Sequence, residues 1–160
     1  MAGDLFDIDA LAKQIEAEIK KQVNELLRNK IAKEIQQDLA VRAAGEVYGA
    51  YSPEVYERRG TLTWRETYHA EAGDLEIKIT PIAPFNRAYG GWNYGSELAG
   101  FMNFGRGWNG YVMGGAATNV PLPRPYLTNA VMDWNWRIQE EISSALGEWG
   151  DCVTATVTLG

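Results

Sequence analysis

The first forty residues constrain this chain most. Between Asp4 and Ala44, apolar residues fall at Ile8, Ala12, Ile15, Ile19, Val23, Leu27, Ile31, Ile35 and Leu39, and no Gly or Pro interrupts the run before Gly45. Nearly every step is three or four residues, which places the set on one face of a helix. Asp7 or Asp9 can cap its start, and acids there suit the helix dipole. Some 35 residues at about 1.5 Å each would reach about 50 Å. A compact domain of 160 residues has a radius of gyration near 15 Å. A straight helix would therefore overhang its own domain. Either it breaks in two, or another subunit covers part of its apolar face.

The next stretch, Gly45 to Glu57, is Tyr-bearing, and Gly49 and Pro53 argue against a regular element. A hairpin follows. TLTWRETYH alternates Leu62, Trp64, Glu66 and Tyr68 with their neighbours, and DLEIKIT alternates Leu75, Ile77 and Ile79 with Glu76, Lys78 and Thr80. The turn is expected at Glu71–Asp74, with Gly73 inside it. After Pro121, Pro123 and Pro125, apolar residues return at Leu127, Val131, Trp134, Ile138, Ile142, Leu146 and Trp149. This is a second helix, with Thr128 or Asn129 as cap and Gly150 as stop. DCVTATVTL then alternates Val153, Ala155, Val157 and Leu159 with threonines, as a strand with one buried face does. The sum is an α+β chain: a long N-terminal helical region (1–44) and a C-terminal helix on one face of a small antiparallel sheet. One domain spans 1–160. A long Gly- and aromatic-rich loop or arm, 81–127, is inserted between the hairpin and the C-terminal helix–strand.

That arm is the unusual part. Nine of the 17 Gly lie between Gly90 and Gly115, and eight aromatic residues lie between Phe85 and Tyr111. Arg87, Arg106 and Arg124 against Glu97 make Pro81–Leu127 +2, in a chain of net charge -6. Long stretches with little period are usually functional or disordered, and the aromatics argue against permanent disorder. Trp, Tyr, Phe and Met are enriched in the cores of protein interfaces. The same aromatic faces could instead stack on sugars, with Asn side chains on hydroxyls, or the arm could fold over its own sheet.

Composition excludes more than it suggests. One Cys cannot form an internal disulfide, and one Cys with one His cannot supply a usual zinc site. No cofactor or metal is expected. His69 lacks an evident catalytic partner, and Cys152 reads as a structural, half-buried thiol. Glu66 and Glu97 have no spacing that argues for a glycosidase pair. GGWNYG and NFGRGWNG lack the GK[ST] of a phosphate loop. The acidic balance lacks the basic footprint of a nucleic-acid binder. No apolar run is long enough to span a membrane, and MAGDLFDIDA has acids where a signal peptide has bases. A cytosolic, non-enzymatic chain is the expectation.

The order of motifs resembles the tail-completion (head–tail joining, or neck) proteins of tailed bacteriophages. Those proteins show an N-terminal helical region, a T/R-G-x-L motif entering a hairpin, an aromatic Gly-bearing stretch ending in E-F-G-T, an R-P-[FY]-L phrase opening a helix, and a last strand. The matching phrases here are YSPEVYERRG, ERRGTLTWRETYHAEAGDLEIKI, ELAGFMNFGRG and PRPYLTNAVMDW, over about residues 45–149. Arg106 stands where the family has Thr, Asn103 where it has Glu, and Asn129 where it has Pro. The resemblance is thus to the superfamily. It leaves open whether this chain joins tail to neck, closes the head or terminates the tail tube. It implies a ring, commonly of six copies, around a DNA channel. The partners it implies are further copies of the chain and neighbouring neck, connector and tail-tube proteins. Double-stranded DNA would pass through non-specifically, and an acidic wall would let it slide. The implied location is the virion neck or tail, with the host cytoplasm during assembly. Trp92, Tyr94, Phe101, Phe104, Arg106, Trp108, Tyr111, Arg124 and Tyr126 are the expected oligomer or partner contacts. Arg124 is expected to tie the arm to the start of the second helix through backbone carbonyls or a carboxylate, and Tyr126 and Leu127 to anchor that helix on the sheet.

Overall fold

The computed structural model describes residues 8–49, 60–82, 103 and 124–158. Helix α1 (Ile8–Leu26) passes into helix α2 (Ala32–Arg42) through a π-helical turn at Leu27–Ile31, and a second π-helical turn, Ala43–Tyr48, follows α2. The junction residues Leu26, Ile31, Arg42 and Ala43 all keep right-handed helical dihedrals. The helical region therefore does not break, and Gly45 does not stop it, contrary to the expectation of an irregular segment from Gly45 onward.

The π turns have a cause in the sequence. Ile19, Val23, Leu27, Ile31, Ile35, Leu39, Ala43 and Val47 follow one another at intervals of four. On an ideal α-helix each four-residue step precesses by about 40°, so this row would wind away from the core. Wider π turns take up the extra residue and bring the row back. Val23, Leu27, Ile31, Leu39, Ala43 and Val47 are all buried, and Ile19 and Ile35 are partly buried against them. The end of α1 that precedes this row is uncovered, with Ile8 76% and Leu11 49% exposed.

Strands β1 (Tyr68–Ala72) and β2 (Ile77–Pro81) pair antiparallel, with Tyr68 opposite Pro81 and Ala72 opposite Ile77. The first strand starts later than its alternation suggests. Thr63 Oγ1 donates to the Gly60 carbonyl (2.7 Å) and Thr67 Oγ1 to the Thr61 carbonyl (2.5 Å), and two 3₁₀ turns, Thr61–Thr63 and Arg65–Thr67, result. Hydroxyls that take local carbonyls compete with a ladder. Leu62 is consequently buried and Trp64 half exposed, although they share one parity. The hairpin closes at Gly73 and Glu76, where Gly73 N–H donates to the Glu76 carbonyl (2.8 Å), two residues beyond the expected turn. Leu75 takes φ 55°, a strained value for a residue with a Cβ. Helix α1 holds it there: the Leu75 N–H donates to Asn24 Oδ1 (2.7 Å), Asn24 Nδ2 donates to Asp74 (3.1 Å), and Lys20 pairs with Asp74 (2.6 Å).

Helix α3 (Tyr126–Leu146) buries Tyr126, Ala130, Trp134, Ile138, Ile142 and Leu146 against α1, α2 and the hairpin. It ends at Gly147, whose φ of 58° suits glycine, and not at Gly150. The chain then curls through a 3₁₀ segment, Gly147–Cys152, that folds back so closely that a Cβ on Gly150 would overlap the Ser143 backbone. The result is an α+β fold with a helical layer and a small sheet, as the periodicities predict.

Residues 153–158 are extended but join no strand among the described residues. Their partner is a pair of amide side chains on α3. Gln139 donates to the Val153 carbonyl (2.8 Å) and accepts from Ala155 N–H (3.1 Å). Asn135 accepts from Val157 N–H (2.7 Å) and donates to its carbonyl (2.9 Å). Four helical residues rise about 6 Å and two strand residues about 6.6 Å, so side chains one turn apart match alternate residues of an extended chain.

Candidate functional site

Two of the nine expected contact residues, Arg124 and Tyr126, are among the described residues. Trp92, Tyr94, Phe101, Phe104, Arg106, Trp108 and Tyr111 lie outside them. The described residues therefore define the place where the 81–127 stretch enters α3.

Pro125, at φ -76° and ψ 43°, turns the chain so that the Tyr126 N–H donates to the Arg124 carbonyl (2.7 Å). Neither Thr128 nor Asn129 caps the helix. Asn103 does so from 24 residues upstream. Its Oδ1 accepts from Leu127 N–H (2.9 Å) and Thr128 N–H (3.1 Å), and its Nδ2 donates to Thr128 Oγ1 (3.0 Å). The side chain is buried, and all its bonds run to the first turn of α3. A longer Glu in this position would put its carboxylate beyond the amides that Asn reaches. Asn129 is free for another task, and donates to Glu46 (2.7 Å).

Arg124 donates to the Val47 carbonyl (3.0 Å), at the C-terminal end of the N-terminal helical region. This bond is to a backbone carbonyl, as expected of the residue, and it reaches the first helical region where a tie to the start of the second helix was expected. Cations at helix C-termini are favourable. Tyr126 is fully buried, and its side chain offers no surface to a partner. It is an internal anchor beside Tyr68 and Tyr48. Tyr68 Oη donates to the Leu62 carbonyl (2.9 Å), and burial pushes its pKa up to about 12. Burial also raises the Tyr126 phenol, and the neighbouring Tyr68 hydroxyl adds to that shift.

A charged seam locks α2 to α3. Asp38 accepts from Arg42 Nε (2.8 Å) and Trp134 Nε1 (3.0 Å), while Arg42 also pairs with Asp133 and lies 3.6 Å from Glu46. Burial acts to lower the Arg42 pKa, and the hydrogen bonds to Asp38 and Asp133 outweigh it. Arg137 stacks over Trp134 at 4.1 Å from the ring centroid. Lys30 pairs with Glu141, and Arg137 with Glu34 at 3.6 Å.

The outward face of α3 was missed by the apolar row. Trp136 is 77% and Met132 65% exposed, one turn apart. Trp149, placed on the buried row by its spacing, is half exposed because the 3₁₀ segment begins before it. Cys152 is exposed, not half-buried. His69 is half exposed on β1, 3.7 Å from Glu71, and Glu66 is exposed. No three metal-ligating side chains cluster among the described residues, and none of the described helices is long and apolar enough to cross a membrane. Among the described residues, the groups that converge here form a helix cap, a carbonyl tie, a phenol cluster and a charged seam.

The fold and this junction define a small α+β protein whose conspicuous residues fasten one element to another. By its sequence the chain belongs to the YomN family, whose model matches residues 10–148. The name is of a Bacillus-prophage type, consistent with a phage protein. No curated protein and no solved structure matches the chain.

Proposed function

We propose that this chain is a structural protein of a tailed-phage particle that assembles as a homo-oligomeric ring at the neck or the top of the tail, around the DNA channel. The observation that carries the reading is uncovered apolar surface on two separate helices. Ile8 and Leu11 lie bare at the start of α1, and Met132 and Trp136 on the outer face of α3. A ring is built from a heterologous contact, in which two different faces of each copy meet. Trp and Met are enriched at such contacts, and Trp among their energetic anchors. Membership of a family with a prophage-type name, and the ERRGTL, Phe-Gly and PRPYL phrases in that order, support the phage setting.

The chain's part is mechanical: it docks on its own copies and on neighbouring neck and tail-tube proteins. Its net charge of -6 suits a conduit wall that does not retain phosphates. Native mass spectrometry of the purified chain, alone and with extract from phage-producing cells, tests this. A closed multimer is expected. A monomer at every concentration, absent from purified particles, would overturn it.

A further inference from the structure

A groove of about 570 Å³ lies between Asp74–Ile77, which lead into the edge of β2 that no described residue pairs, and the extended residues 153–158. Its floor is apolar: Val23, Leu27 and Ile35 from the first helices, and Ile138 and Ile142 from α3. Its walls carry unpaired backbone. In an antiparallel ladder alternate residues turn their N–H and C=O toward the partner strand. The bonds at Gly73–Glu76 and Thr67–Ile82 fix which residues of β2 do so, Lys78 and Thr80 among them. Ile77 and Ile79 therefore turn theirs to the opposite edge. On the far wall, the Val153 and Val157 carbonyls and the Ala155 and Val157 N–H groups bond to Gln139 and Asn135. The same period of two directs Thr154 and Thr156 the other way, and no partner meets them among the described residues. Backbone donors and acceptors are rarely left unmatched in folded chains, and an open sheet edge is a template for another strand.

We propose that this groove takes a β-strand contributed by a partner protein. Main-chain bonds to Ile77 in the groove wall and to Ile79 next along the same edge, and on the other side to Thr154 and Thr156, would supply affinity. Alternate apolar side chains would point to the floor, as in strand-addition recognition generally. The rim fixes the strand's charge. Asp74 and Glu76 line the groove and no cationic side chain does. Asp74 is already paired with Lys20, and Glu76 is exposed. The strand accordingly carries a Lys or Arg at the Glu76 end. This site stands apart from the proposed ring, which can close whether or not the groove is filled.

The test uses the full-length, ¹⁵N-labelled chain and the synthetic peptide Ac-Lys-Val-Thr-Val-Thr-Val-NH₂. In the free chain the amides of Ile77, Ile79, Thr154 and Thr156 are expected to exchange faster than those of Lys78 and Thr80. Saturating peptide is expected to slow those four at least tenfold. A peptide N-methylated at alternate amides, which cannot bond both walls, is expected to leave them fast. Glu76→Lys is expected to weaken the first peptide several-fold. Unchanged exchange at millimolar peptide would overturn the proposal. So would slow exchange of the four amides in the free chain: independent of concentration, it would mean that the chain's own residues fill the groove, and concentration-dependent, that a second copy does.

Discussion

Asn103 offers the sharpest perturbation. In Asn103→Ala, the Leu127 and Thr128 N–H groups lose their acceptor, and Thr128 Oγ1 loses its donor. Loss of an N-cap side chain costs about 0.5–2 kcal/mol, and each buried N–H left without a partner costs about 1–3 kcal/mol. Leu127 and Thr128 are only partly buried, so water can reach the vacated site, and the low end applies. The expected loss is about 2–3 kcal/mol. With a urea slope of about 1–3 kcal/mol/M, the midpoint falls by about 0.7–3 M, read from tryptophan fluorescence and circular dichroism together. Asn103→Asp is the discriminating control. A carboxylate keeps both amide bonds, gains from the helix dipole by about 0.3–1 kcal/mol, and can accept from the Thr128 hydroxyl. It is expected to stay within about 1 kcal/mol of the parent at neutral pH. Two N–H donors and the dipole depress its folded pKa below the unfolded value. Its contribution is therefore present above the unfolded carboxylate pKa and lost as pH falls through the folded one. An alanine variant within about 0.5 kcal/mol of the parent would refute a cap supplied by Asn103.

Other expectations follow from the same geometry. Tyr68, with its folded pKa raised to about 12, binds its proton longer in the folded than in the unfolded chain. Stability is thus constant below the unfolded value near 10 and falls as pH rises toward 12; denaturation across that window should be flatter in Tyr68→Phe. Gly150→Ala places a Cβ against the Ser143 backbone and should cost about 1–3 kcal/mol, whereas alanine at the uncrowded Gly45 should not destabilise the chain. Gln139→Leu removes the bonds to Val153 and Ala155, and the Ala155 amide should exchange at least tenfold faster while the core amides of α3 do not change.

Much of this fold was legible because periodicity reports which face is buried. The α3 row from Trp134 to Leu146 and the four-residue row of the first helices both appear in the core. The same helical arithmetic turns Trp136 about 200° from Trp134, so its exposure could have been read from spacing too. The unbroken run of fours from Ile19 to Val47 was likewise a signal for the π turns. Alternation does not report what a backbone pairs with. Val153, Ala155 and Val157 alternate as a sheet strand does, yet bond to two amides of a helix. Nor does it foresee threonine hydroxyls that capture carbonyls, as at Thr63 and Thr67. The Asn103 cap was hidden for a different reason. Capping rules search the residues next to a helix, and this cap arrives through the tertiary fold. The one hint was an Asn in a phrase where the tail-completion proteins it resembles carry Glu.

The central claim is that Trp136, with Met132, is bare because a neighbouring copy covers it. The direct measurement is native mass spectrometry of the full chain beside its Trp136→Glu variant, with circular dichroism to verify that both fold. The parent is expected to appear as one closed multimer and the variant as a folded monomer. A parent that stays monomeric, or a Trp136→Glu chain that assembles as the parent does, would contradict the account.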